Sequence, residues 1–260
     1  VESGIGRTIE YRFILPNGSI RHMESRGAVI LDDSGQVDRV IVTASDITER
    51  KALEAQMREY AYFDPLTGLP NRRMLLDRIQ QSVRLSRRSA QLNALLYFDL
   101  DDFKRINDDF GHAAGDLVLI GVGRMASTCI RESDTVARLG GDEYVVLINQ
   151  LDSDPIKAQT QVEKIAEKLR QALAAPHLIE AAEKPRRTVE RYCPASIGAV
   201  LFGGDVRSPD TVLQYADAAM YLAKHDGGDC VRFEYPDDSA LQGTHCPDDM
   251  MDSLASKSIH

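Results

Sequence analysis

From Asn93 the chain runs NALLYF, a short continuous apolar stretch of the kind found in a strand buried at the centre of a sheet. It gives way at once to Asp99-Leu100-Asp101-Asp102, so carboxylates stand where the chain leaves the core. A second stretch, VARLGGDEYVVLI (Val136–Ile148), repeats the pattern as a hairpin. Its glycines, Gly140 and Gly141, suit a tight turn that needs positive φ, and Asp142-Glu143 crowd against that turn before an apolar strand. The acids are either solvated residues of an exposed turn or part of a site built on it.

The surrounding pattern is mixed α and β. Met74, Leu75, Ile79 and Val83 predict a helix with Asn71 as N-cap. Val118, Val122, Met125 and Cys129 predict another after Gly115-Asp116. Further helices are expected over about 162–173 and 209–224, with strands at 195–201 and 230–233. The tail beyond about 236 has little periodicity and is expected to be disordered.

Residues 1–45 read as antiparallel strands. Ile9, Tyr11, Phe13 and Leu15 alternate with Glu10 and Arg12, and Asn17-Gly18 and Asp33-Ser34-Gly35 mark turns. Three such strands make a thin sheet whose apolar face needs a cover. Residues 46–63 predict a helix that Asp46 and Glu49 start as a capping box, with a Glu54–Arg58 pair on its exposed side. Its narrow Leu53/Met57/Tyr60 stripe fits a paired-helix seam, the alternative being an ordinary linker helix.

The 260 residues carry a formal charge of −9. That balance argues against a binder of nucleic-acid polymers, which needs a basic face. No apolar run approaches the ~20 residues of a membrane span, so no membrane contact is expected within this chain. Cys129, Cys193, Cys230 and Cys246 show no C-x-x-C spacing and fit reduced thiols of a cytoplasmic protein. The chain lacks an initiator Met and starts within a pattern, so it reads as a piece of a longer sensor protein.

Asp99 and Asp101 would share one face of a strand end, where carboxylates either bind a hard cation such as Mg²⁺ or favour a following helix N-terminus. The hairpin favours the cation. Set beside the Asn93–Phe98 strand, it would bring Asp142 and Glu143 near Asp99, and converging carboxylates repel unless a cation lies between them. Two metals ~3.5–4 Å apart are a standard device for in-line phosphoryl transfer.

These motifs resemble the GGDEF-domain diguanylate cyclases. DPLTGLPNRR (64–73), FDLDDFKRINDDFGHAAGD (98–116), RLGGDEY (138–144), ASIGA (195–199) and ADAAMYLAKHDGG (216–228) follow one another in the family's order. Residues 1–45 resemble the C-terminal part of a PAS domain. The domains are then 1–45 (PAS), 46–63 (helical linker), 64–236 (GGDEF) and 237–260 (tail).

The resemblance implies an α/β ferredoxin-like palm with a central, mainly antiparallel sheet flanked by helices. It implies condensation of two GTP into cyclic di-GMP plus pyrophosphate in a bacterial cytoplasm, by a homodimer with two Mg²⁺ or Mn²⁺ per active site. By position, Asp99, Asp142 and the Leu100 carbonyl would bind metal. Asp142 or Glu143 would help deprotonate the attacking hydroxyl. Lys104 and Lys224 would meet phosphate, Gly140 and Gly141 would let the nucleotide approach the turn, and Asn107, His112 and Asp116 would sit at guanine. Asp116 alternatively caps a helix, and His112 satisfies backbone in a Gly-flanked loop. Arg131 and Asp134 (RESD) match the family's inhibitory product site, the alternative being a surface turn with a local ion pair. Tyr144 stands where the family usually has Phe, and its hydroxyl needs a partner if buried. The rival function is a catalytically weak receptor or scaffold that binds GTP or cyclic di-GMP.

Overall fold

The computed structural model describes residues 7–180, 188–206 and 208–234. The chain divides into two compact units, Val1–Tyr62 and Phe63–His260.

In the first unit β1 (Arg7–Ile14), β2 (Ile20–Leu31) and β3 (Val37–Asp46) form an antiparallel sheet in the order β1-β2-β3, followed by α1 (Thr48–Tyr62). The turns arise as the sequence predicts: Asn17 Oδ1 accepts from Ser19 N at 3.0 Å, and Asp32 Oδ1 accepts from Ser34 N and Gln36 N, both at 2.9 Å. Burial does not follow the alternation. Ile9, Tyr11 and Phe13 remain exposed, as does all of β3. Asp46 caps α1 by accepting from Thr48 N at 2.9 Å, a shorter link than the expected capping box. Lys51 lies 4.0 Å from Glu54, while the side chain of Arg58 lies outside the described ones. Leu53, Met57 and Tyr60 form an exposed stripe.

The second unit begins with α2 (Arg72–Ser89), β4 (Leu92–Leu100), α3 (Phe103–Phe110) and α4 (His112–Cys129). The hairpin β5 (Thr135–Gly140) and β6 (Glu143–Leu151) leads into α5 (Pro155–Leu173). A small hairpin, β7 (His177–Glu180) with β8 (Thr188–Arg191), precedes β9 (Ala195–Phe202), α6 (Pro209–His225) and β10 (Val231–Glu234). The five-stranded sheet has the order β10-β9-β4-β6-β5. Its pairings are antiparallel except β9–β10. This is the mixed α/β, mainly antiparallel architecture expected from the sequence.

β4 lies at the centre, and its alternation feeds two layers. Leu96, Phe98 and Leu100 pack toward α4 and α5 with Val118, Val122, Val162 and Leu169. Leu95 and Tyr97 pack toward α2 and α6 with Leu75, Ile79, Leu213 and Met220. α6 reaches β9 at Gly198, where a Cβ would collide with the Ala216 carbonyl and the Met220 amide. That contact sets the height of α6, which carries Lys224.

Four expectations need correction. The helix expected after Gly115-Asp116 begins at His112, because the chain breaks between α3 and α4 at Gly111 (φ 82°). Gly115 is helical, and a Cβ there would strike Asn107. His112 and Asp116 therefore sit on a helix, so neither the loop nor the N-cap alternative holds. The helix expected at 162 starts at Pro155, capped by Asp154, whose side chain accepts from Ile156 N. The β7–β8 hairpin had no counterpart in the sequence reading. Finally, Gly140 pairs with Glu143, so the two turn residues are Gly141 and Asp142 rather than the glycine pair. Gly141 takes the positive φ of 50° that the turn demands. The tail after 234 lies outside the described residues.

Candidate active site

Sheet register gathers the acids. Asp99 is the last residue of β4 paired with β6, and its partner is Glu143. Asp142 occupies the adjoining turn. Asp99 and Tyr97 share a face of β4, and the buried Tyr97 hydroxyl hydrogen-bonds Glu143. Burial first and the Glu143 charge next push the Tyr97 phenol above its ordinary range, so it remains a neutral donor.

Asp99 is 8% exposed, and Lys224 Nζ stands 2.7 Å from its Oδ1. Among the described residues, no protein donor other than this ammonium reaches that buried oxygen. Burial pushes the Asp99 carboxyl up; Lys224 opposes the shift, and the nearby Asp142 and Asp101 charges reinforce it. The same field reaches Cys193, whose thiol is pushed up to about 12 by burial and then by Asp101 and Asp142. Cys129, Cys193 and Cys230 are free thiols, whereas Cys246 lies outside the described residues.

Neighbouring carboxylate oxygens, one of them on the buried Asp99, fit a hard divalent cation. The fit is one of chemistry and neighbourhood, not a finished cage. Among the described residues no three His, Cys, Asp or Glu side chains stand close enough together to hold an ion.

The Gly141-Asp142 turn is held from behind by groups that the sequence did not single out. Arg138, 8% exposed, donates from Nε (2.9 Å) and Nη2 (2.7 Å) to the Gly141 carbonyl, directly before Asp142. Its Nη1 grips both oxygens of Asp64 at 2.9 and 3.0 Å. Asp64 in turn accepts from the Thr67 amide and hydroxyl. DPLTG and RLGGDEY are thus two halves of one clamp. The usable signal was a lone arginine in an apolar strand, since a buried guanidinium requires a carboxylate partner.

Tyr144 is fully buried. Its ring stacks on Phe98 at a centroid distance of 5.3 Å, and its hydroxyl donates to the Leu119 carbonyl of α4 at 2.7 Å. The hydroxyl that sets it apart from Phe is therefore satisfied.

The other candidates lie on α3 and α4. Lys104, His112 and Asp116 are exposed, and Asn107 is half-buried against Gly115. Arg131 is exposed on the turn before β5, at the start of that strand and away from the Gly141-Asp142 turn at its end. Asp134 is buried and accepts from Arg131 N (3.1 Å) and Asn149 N (3.0 Å), so its carboxylate shapes that turn.

With this geometry in hand, comparison with known proteins is decisive. The family model "Diguanylate cyclase, GGDEF domain" matches residues 61–230. The chain belongs to the GGDEF-domain family. A PAS fold model matches residues 1–44. The bifunctional diguanylate cyclase/cyclic di-GMP phosphodiesterase MucR of Pseudomonas aeruginosa is 41% identical over 172 residues, covering 66% of this chain and 23% of MucR. The diguanylate cyclase DgcM of Escherichia coli is 35% identical over 213 residues, covering 82% of this chain and 48% of DgcM. The chain thus spans less than half the length of either relative. Among solved structures, the GGDEF domain of TpbB from Pseudomonas aeruginosa superposes with a TM-score of 0.59 at 36% identity, covering 70% of this chain and all of that one. The GGDEF domain of DgcB from Caulobacter crescentus, solved with cyclic di-GMP, gives 0.59 at 24% identity over 66% of this chain and 93% of that one, a likeness of fold alone.

Proposed function

We propose that this chain is a diguanylate cyclase module that joins two GTP molecules into cyclic di-GMP with release of pyrophosphate. The observation that carries the reading is Asp99 in register with Glu143, next to Asp142 in the turn and paired with Lys224, on a GGDEF domain whose relatives are named diguanylate cyclases. Asp99, Asp142 and the Leu100 carbonyl would hold Mg²⁺ or Mn²⁺, two ions per site, which would supply charge neutralisation for phosphoryl transfer. Asp142 or Glu143 accepts the proton of the attacking hydroxyl. The Tyr97 hydrogen bond keeps Glu143 in place.

Lys104 and Lys224 neutralise phosphate charge, Lys224 being already drawn in by Asp99. Gly140 and Gly141 leave the turn backbone open to the nucleotide. Asn107, His112 and Asp116, on adjoining helices, are assigned to guanine. A base lacking guanine's donors would leave their polar groups unpaired, a mismatch that can cost ~10⁴-fold.

Each domain would bind one GTP, so turnover requires two copies face to face. The exposed Leu53/Met57/Tyr60 stripe of α1 suits a seam between copies and would carry the PAS signal. Arg131, free on the surface with a planar guanidinium, is assigned to inhibitory product binding, with Asp134 shaping its turn. The domain plan follows as 1–45, 46–63, 64–236 and 237–260, in a bacterial cytoplasm.

Incubation with GTP and Mg²⁺ followed by chromatography tests the reading. Wild type should form cyclic di-GMP, and Glu143→Gln should form at least ~10²-fold less. GTP that is bound but never converted would overturn the cyclase and favour the receptor.

A further inference from the structure

The two acids of the DLD segment do different things. Asp99 Oδ1 meets the Lys224 ammonium, whereas both oxygens of Asp101 are taken by a hydroxyl and a backbone amide. Oδ1 accepts from the wholly buried Ser196 hydroxyl at 2.8 Å, and Oδ2 accepts from the Asp229 amide at 3.0 Å. Ser196 lies in β9 and Asp229 in the turn after α6. The turn is fitted to this carboxylate. Gly228 has φ 78°, and a Cβ there would fall 2.9 Å from Asp101 Oδ2. Asp229 itself holds a positive φ of 46°, with its side chain 2.6 Å from Arg170 Nη1 of α5. The amides of Gly227 and Gly228 return to the carbonyls of Lys224 and Ala223 at 3.2 and 3.1 Å. The last turn of α6, which carries Lys224, is therefore tied through Asp101 to the strand end that carries Asp99.

We infer that Asp101 is a positioning residue that aims Lys224 at the reacting phosphates, a role that rests on the cyclase reading. Non-Gly residues at positive φ persist only where their surroundings hold them. Asp101 and Arg170 hold Asp229 from its two sides. Remove the Oδ2 acceptor and the turn can relax, taking the ammonium of Lys224 off its line. Ser196, in the ASIGA motif, acts one step further back by fixing the Asp101 carboxylate.

The test is a double-mutant cycle with Asp101→Asn, Ser196→Ala and Lys224→Ala, singly and in pairs with Lys224→Ala. Both the kinetics of cyclic di-GMP formation and the calorimetric binding of a non-hydrolysable GTP analogue are measured. The amide of Asp101→Asn can still accept from Ser196 but offers a donor, not an acceptor, to the Asp229 amide. Ser196→Ala removes a tie without changing charge. Lys224→Ala should lower kcat by ~10²-fold. Asp101→Asn should lower it about tenfold and Ser196→Ala less, and each pair should match Lys224→Ala alone within about twofold. Additive losses overturn the inference. So does a deficit in Asp101→Asn that extra Mg²⁺ restores while Ser196→Ala is silent, since Asp101 would then act on the cation. A fall in thermal stability with no coupling to Lys224 also overturns it. If wild type binds the analogue but makes no product, the cyclase reading fails separately, and the cycle is still decided by the binding energies.

Discussion

The two sheets of this protein are built from similar strands and treated oppositely by their surroundings. In the Phe63–His260 unit, β9 is buried at every position and β4 at every position but its first. In the Val1–Tyr62 unit, β3 is exposed throughout although it carries Val37, Val40, Ile41 and Val42. One ion pair from each unit shows the same contrast. Arg138 and Asp64 are 9% and 15% exposed in their side chains, whereas Arg50 and Glu10 are about half exposed. Apolar strand composition therefore does not itself make a core. A core needs its faces covered, and α2, α4, α5 and α6 cover both faces of the larger sheet. The acids assigned to the site, Asp99 and Glu143, stand at the ends of strands in that sheet, where a scaffold that cannot relax would hold them fixed.

The largest difference should come from removing a buried ring. Phe98 is fully buried at the centre of β4 and stacks on Tyr144. Phe98→Ala should cost about 3–5 kcal/mol, read from chemical denaturation with hydrogen exchange at the β4 amides. A cost below about 1 kcal/mol would mean that the larger sheet is no better packed than the smaller one.

That contrast was only half legible in the sequence. NALLYF read correctly as a buried strand because continuous apolar runs mark two-sided burial. Ile9, Tyr11 and Phe13 read as half-buried because alternation reports a strand with two unlike faces, not whether anything covers the apolar one. The helix expected at 162 starts seven residues earlier, whereas α1 and α6 were legible to within two residues. The start of α4 was not, since Gly115 looks like a loop signal and is instead the space that Asn107 requires. Asp99 and Glu143 could be paired because Asp99 ends one apolar run and Glu143 opens another. Arg138 and Asp64 are 74 residues apart, and only folding reveals that the guanidinium spans from one motif to the turn carbonyl of the other.

A smaller difference should appear in acid. Burial alone would raise the Asp64 carboxyl, but hydrogen bonds from Thr67 and Arg138 outweigh it and hold it below the ordinary carboxylate range. Its folded pKa lies below the unfolded one, so Asp64 contributes stability at neutral pH. That contribution is lost as the pH falls below the ordinary carboxylate value and through the depressed one. Glu10 is shifted in the same direction by Lys51, but at the surface. Hydrogen exchange across pH 3–7 in about 0.5 M salt should flatten the acid dependence that Glu10 gives the smaller unit. The Asp64 limb should survive salt and vanish in Asp64→Asn. If salt removes both limbs alike, the Arg138 clamp is no more buried than a surface pair.

The smallest effect is expected on the open face of the smaller sheet. Phe13 is 53% exposed on β1, opposite Arg21 of β2, and its side chain has little burial to lose. Phe13→Thr keeps a strand-compatible β-branched residue and deletes an exposed ring. Denaturation of the β2 amides should shift by no more than about 0.5 kcal/mol, while binding of a hydrophobic dye falls. A loss of about 2 kcal/mol or more would equal the burial of a whole aromatic side chain. The β1 face would then be covered in solution, and the contrast between the two sheets would be one of partners and not of packing.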